Sequence, residues 1–369
     1  MVAHSCCIMV LFLILPLNCH AENTTNVFDI RDECNTVKKY VAVVLFSLLL
    51  LYGIISDVLL MVVFCSHNNL YSRAFIFITS QIIISGLLNF IPQVVIVLVE
   101  ILDSKSSDVY HSTWIHRIFV SMNTFLFFAT LHFTFLLAIN RFVAISLPQF
   151  NAFFESLKFY FLLISLWLLS FVISLVEFYY CIKTFNASNL QWTLNCIKRT
   201  PESGAVFMKI RYAWTLALPI AMFAIYVLIF CNIRSKRKNT SNLCAESVVI
   251  RIFTGHERKC AIATSKYERM MLIQAVFVCG AMEIQIICFN FLSKLAIKLA
   301  GKEIEIPVNI LTNCFVIFTA AVLPTANLIF VKRFRESVKQ AFVKLFSKIK
   351  IMKKMSTVTP VTLTMSKIH

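Results

Sequence analysis

Ionisable side chains are rare in the long apolar runs of this sequence, and Arg141 stands in one of them. It lies near the end of the stretch 114–148, in the order Asn140-Arg141-Phe142, shortly before Pro148. A charge in a membrane-length helix is unfavourable unless it is paired, lies near the membrane surface or has a function. Arg141 is therefore either a side chain that reaches to the interface and marks a helix end, or a switch residue that contacts a partner there.

Asp57 is a second ionisable residue within an apolar run. If its carboxyl group is protonated or hydrogen-bonded, it can join polar groups of neighbouring helices in a packing network. The alternative is a site for an ion. The other candidate members of this intramembrane network are Ser80, Gln81, Pro324 and Asn327.

Six further polar residues are predicted at or above mid-membrane, when depth is counted at about 1.5 Å per residue along each helix. They are Gln93, Asn123, Glu177, Glu283, Gln285 and Asn313. If these groups face inward among aromatic side chains, they form a mostly apolar ligand pocket with a few orienting contacts. Glu177 lies close enough to a helix end for its carboxylate to reach solvent instead.

No catalytic constellation or Gly-rich phosphate loop is recognisable in the sequence, so we predict no enzyme activity and no cofactor. We also predict no metal site, since no other histidine stands at ligand spacing from His132. His132 is interpreted as an interior histidine that is held by hydrogen bonds.

The composition indicates a membrane protein. Of the 369 residues, 59% are hydrophobic and only 14% are charged, whereas soluble domains have about 25% charged residues. The net charge of +17 could indicate a nucleic-acid partner. Because the basic residues lie in short links between apolar runs, membrane topology explains them better, and we predict no nucleic-acid partner.

Seven apolar segments are long enough to span a membrane, and they make up a predicted bundle over residues 40–331. They lie near 40–65, 74–100, 114–146, 158–180, 207–231, 268–292 and 306–331. Residues 1–21 are predicted to be a secretory signal peptide and 22–39 an extracellular N-terminus.

The distribution of Lys and Arg predicts the orientation of the bundle. About 21 of them lie on the face that includes the C-terminal tail and about 13 on the other, which places the tail in the cytoplasm. The sequons at Asn23 and Asn186 then lie outside, where they can be glycosylated, whereas the sequon at Asn239 lies inside.

Four motifs resemble those of G-protein-coupled receptors, and more closely those of the nematode serpentine chemoreceptors, in particular the class called Srx. The motifs are Ala138 to Ile145 with Pro148, the loop Cys181…Trp192…Cys196, Tyr267-Glu268-Arg269 with Gln274, and Leu323-Pro324-Thr325-Ala326-Asn327. The resemblance covers about residues 40–345. It implies an all-α, rhodopsin-like bundle of seven transmembrane helices with a cytoplasmic amphipathic eighth helix.

The resemblance also implies roles for particular residues. Arg141, with Asn140 and Phe142, would hold the inactive state and then contact a heterotrimeric G protein. Asn140 replaces the acidic residue that many receptors have, so Glu268 is the candidate partner of Arg141, unless it is simply solvated at the interface. No cysteine stands at the top of the third helix, which departs from the common receptor pattern.

The cysteines outside the membrane are Cys34, Cys181 and Cys196 once the signal is removed. A Cys181–Cys196 bond would close a loop of about 16 residues. Because three is an odd number, one of them is free or pairs with a helix-top residue such as Cys314, and a bond from Cys34 to Cys181 or to Cys196 stays open.

Residues 332–354 place apolar side chains on one helical face and surround them with Lys and Arg. This pattern predicts an interfacial helix that binds the anionic inner leaflet, with calmodulin binding as the alternative. Residues 355–369 are predicted to be a disordered cytoplasmic tail.

The resulting hypothesis is a chemosensory receptor of the plasma membrane with a small-molecule or peptide ligand, and the resemblance implies a location in sensory cilia. The alternative is a ligand-gated channel or transporter. Transporters tend to have Gly- or Pro-interrupted helices in paired halves, which the sequence does not show.

Overall fold

The computed structural model describes residues 29–30, 35–66, 72–102, 114–196, 201–246, 273–274, 276–332, 334–340, 343 and 347. The predicted signal peptide 1–21, Asn23, Cys34, Glu268 and the tail 355–369 lie outside these residues.

Within the described residues, seven helices are long and apolar enough to cross a membrane, which confirms the predicted all-α bundle. The helices are α1 (Thr36–Ser66), α2 (Arg73–Leu102), α3 (Trp114–Ser146), α4 (Leu157–Tyr180), α5 (Pro201–Glu246), α6 (Val276–Ala300) and α7 (Glu305–Ala320 continued by Val322–Phe330). A single residue, Ala321, interrupts α7.

Helices α2 and α6 each contain a π segment. Pro92 has no N–H to donate within α2, and the six residues Gln93–Leu98 that follow it form a π-helix. The residues Cys288–Leu292 of α6 form another π-helix. Because π segments widen the helix locally, they change which side chains face the centre of the bundle.

The core of the bundle surrounds α3, which buries 61% of its most apolar stretch, the largest share among the seven helices. Its buried side chains include Phe128, Phe133 and Leu137, which pack in clusters with neighbouring helices. By contrast, α4 and α5 expose large apolar side chains such as Phe161 and Phe223 along their length. An apolar surface of this extent requires lipid around it, so the chain is a multi-pass membrane protein.

Two short connections carry structure of their own. The 3-10 helix Pro148–Glu155 joins α3 to α4 and inserts Phe154 into the core. Between α4 and α5, β1 (Ile182–Asn186) and β2 (Gln191–Asn195) form an antiparallel hairpin in which Thr184 lies opposite Thr193. The predicted disulfide between Cys181 and Cys196 closes the base of this hairpin and is confirmed.

Helix α7 ends at Phe330, Val331 is not helical, and residues 334–340 are again helical. Phe334 and Val338 are buried against the bundle. The Arg335 guanidinium donates to the carbonyls of Leu328 and Ile329 at 3.1 and 2.6 Å, which satisfies two terminal carbonyls of α7. This segment is the described part of the predicted eighth helix.

Candidate functional site

The bundle has two ends, which we call the hairpin end, where β1 and β2 lie, and the Arg141 end. The hairpin reaches across the first of these ends to α7. Asn309 Nδ2 donates to the carbonyl of Asn189 at 2.7 Å, and Asn313 Nδ2 donates to the carbonyl of Leu190 at 2.8 Å. Leu190 has a φ of 58°, a strained left-handed conformation that these contacts help to hold.

A cavity of about 110 Å³ lies beneath the hairpin. Residues of α2, α3, α5, α6 and α7 form its wall together with β2 and Lys183 of β1. The lining residues are Asn89, Gln93, Asn123, Thr124, Phe127, Lys183, Trp192, Thr193, Leu194, Arg211, Thr215, Gln285, Ile286, Phe289, Asn290 and Val316.

A chain of polar contacts links three helices and the hairpin at one side of the cavity. Arg211 Nε donates to Glu177 Oε2 at 2.6 Å, and Thr124 Oγ1 donates to Glu177 Oε1 at 2.7 Å. Lys183 Nζ donates to Thr124 Oγ1 at 3.0 Å and to Asn123 Oδ1 at 2.8 Å. Thr124 therefore connects the carboxylate to the ammonium group without their direct contact.

Desolvation lowers the pKa of Lys183 to about 8. The nearby Glu177 carboxylate opposes this shift and the nearby Arg211 guanidinium adds to it. Near neutral pH the ammonium form still predominates, but it is less favoured than for a lysine in water.

Gln93 contributes a buried amide to the cavity wall. Its side chain is 2% exposed, and neither its Oε1 nor its Nε2 has a hydrogen-bond partner among the described residues. It is the first residue of the π segment that follows Pro92. The other π segment, in α6, supplies Phe289 and Asn290 to the same wall.

The structure brings three of the six predicted pocket residues together, since Gln93, Asn123 and Gln285 all line the cavity. Glu177 lies behind the wall, where it holds Arg211 and Thr124. Asn313 anchors the hairpin instead of lining this cavity, and Glu283 is partly buried outside the wall.

The two cations of the cavity, Lys183 and Arg211, were not among the predicted pocket residues. Both lie at the hairpin end of the bundle. Basic residues are common near the ends of membrane helices, so the sequence alone does not mark these two as unusual. Arg211 could have been found from its position in α5. Counting residues from the middle of that helix toward the hairpin end places Arg211 at the same depth in the bundle as Glu177. Lys183 carries no such signal, since only the fold of the hairpin turns it toward α3.

At the opposite end, Arg141 is buried, with 8% of its surface exposed. Its guanidinium carbon lies 4.1 Å from the centre of the Phe75 ring of α2, which is a cation–π contact. Asn140 is buried beside it, and Phe142 packs against the cluster formed by α3, α5 and α6. The predicted partner Glu268 lies outside the described residues.

Asp57 has no hydrogen bond to the partners that the sequence predicted for it among the described residues. Asp57 is fully buried, yet its carboxylate oxygens have no hydrogen-bond partner in the described part of the chain. Gln81 instead accepts a hydrogen bond from Trp167 Nε1 at 3.0 Å, and Asn327 donates to the carbonyl of Leu323. A β-carbon on Gly86 would lie 3.7 Å from Asp57 Oδ2, so α2 passes close to this carboxyl group. Ser80 is partly buried and Pro324 is buried.

His132 is held by hydrogen bonds, as an interior histidine should be. Trp214 Nε1 donates to His132 Nε2 at 3.0 Å, so the proton of the neutral ring is on Nδ1, which lies 2.8 Å from Ser170 Oγ. Within the described ranges, no three His, Cys, Asp or Glu residues are grouped so that they could hold a metal ion.

No family model matches the sequence, and no curated protein sequence matches it at a significant level. Among solved structures, the chain is similar to the crystal structure of squid rhodopsin, with a TM-score of 0.63 and 13% sequence identity. The similarity covers 84% of this chain and 86% of the squid protein. The chain has a rhodopsin-like fold. In this rhodopsin-like bundle, the cavity and Arg141 lie at opposite ends of α3.

Proposed function

We propose that the protein is a G-protein-coupled receptor that binds a ligand in the cavity beneath the hairpin and contacts a heterotrimeric G protein at the Arg141 end. The observation that carries this proposal is the placement of two separate sites on one rhodopsin-like bundle. One end has a walled cavity with polar groups, and the other has a buried arginine that lies over the Phe75 ring.

The excess of Lys and Arg in the links on the Arg141 side supports an orientation in which that end faces the cytoplasm. The hairpin then faces the outside, where its disulfide is chemically stable. In this orientation a ligand reaches the cavity from outside, and the G protein reaches Arg141 from within.

Helix α3 offers a physical connection between the two sites. It carries Asn123 and Thr124 in the cavity wall and Arg141 at the other end, about 27 Å away for 18 residues of helix. A ligand that binds one arrangement of α3, α5 and α6 more tightly shifts the population toward that arrangement. The release of Arg141 from Phe75 is then the change that a G protein would recognise.

The test uses the full chain in lipid nanodiscs and measures uptake of a non-hydrolysable GTP analogue by purified heterotrimers of the main α-subunit classes. We expect basal uptake above that of empty nanodiscs for at least one class. Arg141→Ala should abolish it, while Lys158→Ala, which removes an exposed cation at the same end of the bundle, should not. Uptake that is absent for every class, or unaffected by Arg141→Ala, contradicts the proposal. An ion current across reconstituted bilayers would favour the channel alternative.

We retain the narrower predictions as part of this proposal. These predictions rest on the sequence motifs. They are membership of the nematode serpentine chemoreceptor class, a location in the plasma membrane, a location in sensory cilia and contact of residues 332–354 with lipid. The burial of Phe334 and Val338 supports the start of that helix as a segment folded against the bundle.

A further inference from the structure

We infer that the cavity beneath the hairpin selects a small organic monocarboxylate, which is the class of ligand for the receptor site proposed above. Two cations and an unpartnered buried amide face a cavity that is otherwise walled by neutral polar and apolar side chains. The inference rests on the location of the site in the proposed function and concerns only what binds there.

The charge of the wall is the first argument. Among the described lining residues, Lys183 and Arg211 are the charged ones, and both are cations. Glu177 sits behind the wall on Arg211 and offsets one of the two positive charges. One positive charge remains in a partly desolvated site, so a ligand with one negative charge would restore neutrality.

The donors that remain are the second argument. The Lys183 ammonium group has three N–H donors, and two of them are directed to Asn123 and Thr124. Arg211 contacts Glu177 through Nε, which leaves its terminal amino groups for another acceptor. Gln93 has an Nε2 donor without a partner among the described residues. Three elements therefore offer donors, and a carboxylate supplies two oxygens with several acceptor sites.

The size and the remaining wall limit the rest of the ligand. The cavity of about 110 Å³ is small beside the roughly 300–1,000 Å³ of sites for drug-sized molecules. Apolar and aromatic side chains, Phe127, Trp192, Ile286 and Phe289, form a large part of its wall. A short aliphatic or single-ring tail fits this surface better than a second charge does.

A competing explanation is that the contacts around Glu177 only fasten the hairpin to the bundle. In that case Lys183 and Arg211 are already satisfied, and the cavity discriminates ligands by shape alone. The two explanations differ in one measurable property, because a purely structural network gives no preference for an anion over an uncharged molecule of the same shape.

The experiment measures the unfolding midpoint, Tm, of the purified full chain in nanodiscs with 10 mM sodium benzoate or 10 mM benzamide at constant ionic strength. Sodium butyrate with butyramide and sodium hexanoate with hexanamide form two further pairs. We expect at least one carboxylate to raise Tm by about 2 °C or more, because a ligand that binds only the folded state stabilises it. The matched amide should leave Tm unchanged.

Variants locate the effect. Lys183→Gln should abolish the rise and Lys183→Arg should retain it, while Lys209→Gln, an exposed cation at the same end of α5, serves as the control. If Lys183→Gln does not fold, the double variant Arg211→Gln/Glu177→Gln removes the second cation without leaving its carboxylate unpaired. Equal rises with acid and amide overturn the inference. It is also overturned if none of the three carboxylates raises Tm, or if the rise persists in both Lys183→Gln and the double variant.

The outcome separates this inference from the proposed function. Carboxylate binding without any nucleotide exchange on a G protein retains the monocarboxylate site and contradicts the receptor. Basal exchange that depends on Arg141, with no carboxylate effect on Tm, retains the receptor and contradicts the monocarboxylate site.

Discussion

At the scale of single residues, the contact of Arg141 with Phe75 is the one that most directly couples structure to the proposed signal. A desolvated cation–π contact contributes about 2 kcal/mol, and about 1 kcal/mol where water has access. We expect Phe75→Leu to release Arg141 and to raise basal nucleotide exchange roughly five- to thirtyfold per folded receptor. Phe77→Leu, a change on the same helix that removes an aromatic contact with Tyr160 of α4, is the control. Exchange that is unchanged or lower in Phe75→Leu would show that the ring does not restrain Arg141.

Arg141 itself tests whether the planar guanidinium is required. A lysine at this position can reach the membrane interface as well as arginine can, but it cannot reproduce the guanidinium's stacked and forked contacts. If Arg141 is a switch, Arg141→Lys should lose most G-protein exchange at a matched amount of folded receptor. Full exchange in this variant would reduce Arg141 to a marker of the helix end.

Lys183 predicts a pH dependence for carboxylate binding. Its folded-state pKa, which desolvation lowers to about 8, means that the ammonium group loses its proton as pH rises through that value. Glu177 and Arg211 face it from α4 and α5, and the hydrogen-bonded pair His116–Glu100 lies beyond the adjoining surface of α3. The benzoate-induced rise in Tm should therefore decline between about pH 7 and 9.

The matched control for this pH effect is Lys183→Arg, because arginine keeps its charge over the whole range. A rise in Tm that declines equally in both proteins would assign the titration to another group.

The same lysine also affects the stability of the protein without ligand. The folded-state pKa of Lys183 lies below the pKa of this lysine in the unfolded chain. Its contribution to the free energy of unfolding therefore increases between about pH 8 and 10.5 and is smallest below about pH 8.

These residues also show what could be foreseen from sequence. Arg141 and Asp57 stand out because a charge among apolar neighbours is unfavourable in a membrane and requires an explanation. Lys183 belongs to the basic residues of the links, where charge is ordinary, whereas Arg211 stands near the start of the apolar run 207–231, where its depth could have marked it. Gln81 was expected to join a network with Asp57, but its hydrogen-bond partner is Trp167, because helix rotation and packing decide which neighbour it meets.

At the scale of elements, hydrogen bonds and apolar packing fasten the hairpin to α7. Asn309 and Asn313 each donate to a hairpin carbonyl, and such a hydrogen bond contributes about 1 kcal/mol, or more if the carbonyl is left buried and unsatisfied. We expect Asn309→Ala/Asn313→Ala to lower the hydrogen-exchange protection of the β1 and β2 amides at least about fivefold. Thr312→Ala is the control, because Thr312 donates to the carbonyl of Val308 in its own helix. Equal protection in the double variant would mean that these two hydrogen bonds are not needed to hold the hairpin in place.

The elements themselves were foreseen to different degrees. The apolar run 114–146 coincides with α3, since both of its ends lie at polar links. The run 207–231 is shorter than α5, which extends over Pro201–Glu246, because a helix can continue past the apolar region as long as its residues favour it. Pro92 was a sequence signal for the irregularity in α2, whereas Cys288–Leu292 contains no proline, so nothing in the sequence marked the π segment of α6.

At the scale of the whole molecule, the seven-helix bundle follows from the membrane itself. Without water, each backbone group must be satisfied within its segment, so seven apolar runs of spanning length become seven helices. The rhodopsin-like arrangement of those helices was expected from a few motifs, and the similarity to squid rhodopsin at 13% identity confirms it. The hairpin that covers one end of the bundle was not predicted from the sequence. Its strands have five residues each and are not apolar runs of spanning length, so they lack the pattern that marked the helices.

The orientation of the whole molecule decides whether the two proposed sites face the right compartments. Asn186 is exposed at the end of β1, and its sequon continues into the turn, where Ser188 donates to Asn186 Oδ1. If the hairpin end faces outside, the chain from a secretory cell line should lose mass on glycosidase treatment. Asn23→Gln/Asn186→Gln should abolish that loss, while Asn239→Gln should not. A loss of mass that survives the double variant and disappears with Asn239→Gln would place the Arg141 end outside the cell, where no G protein could reach it.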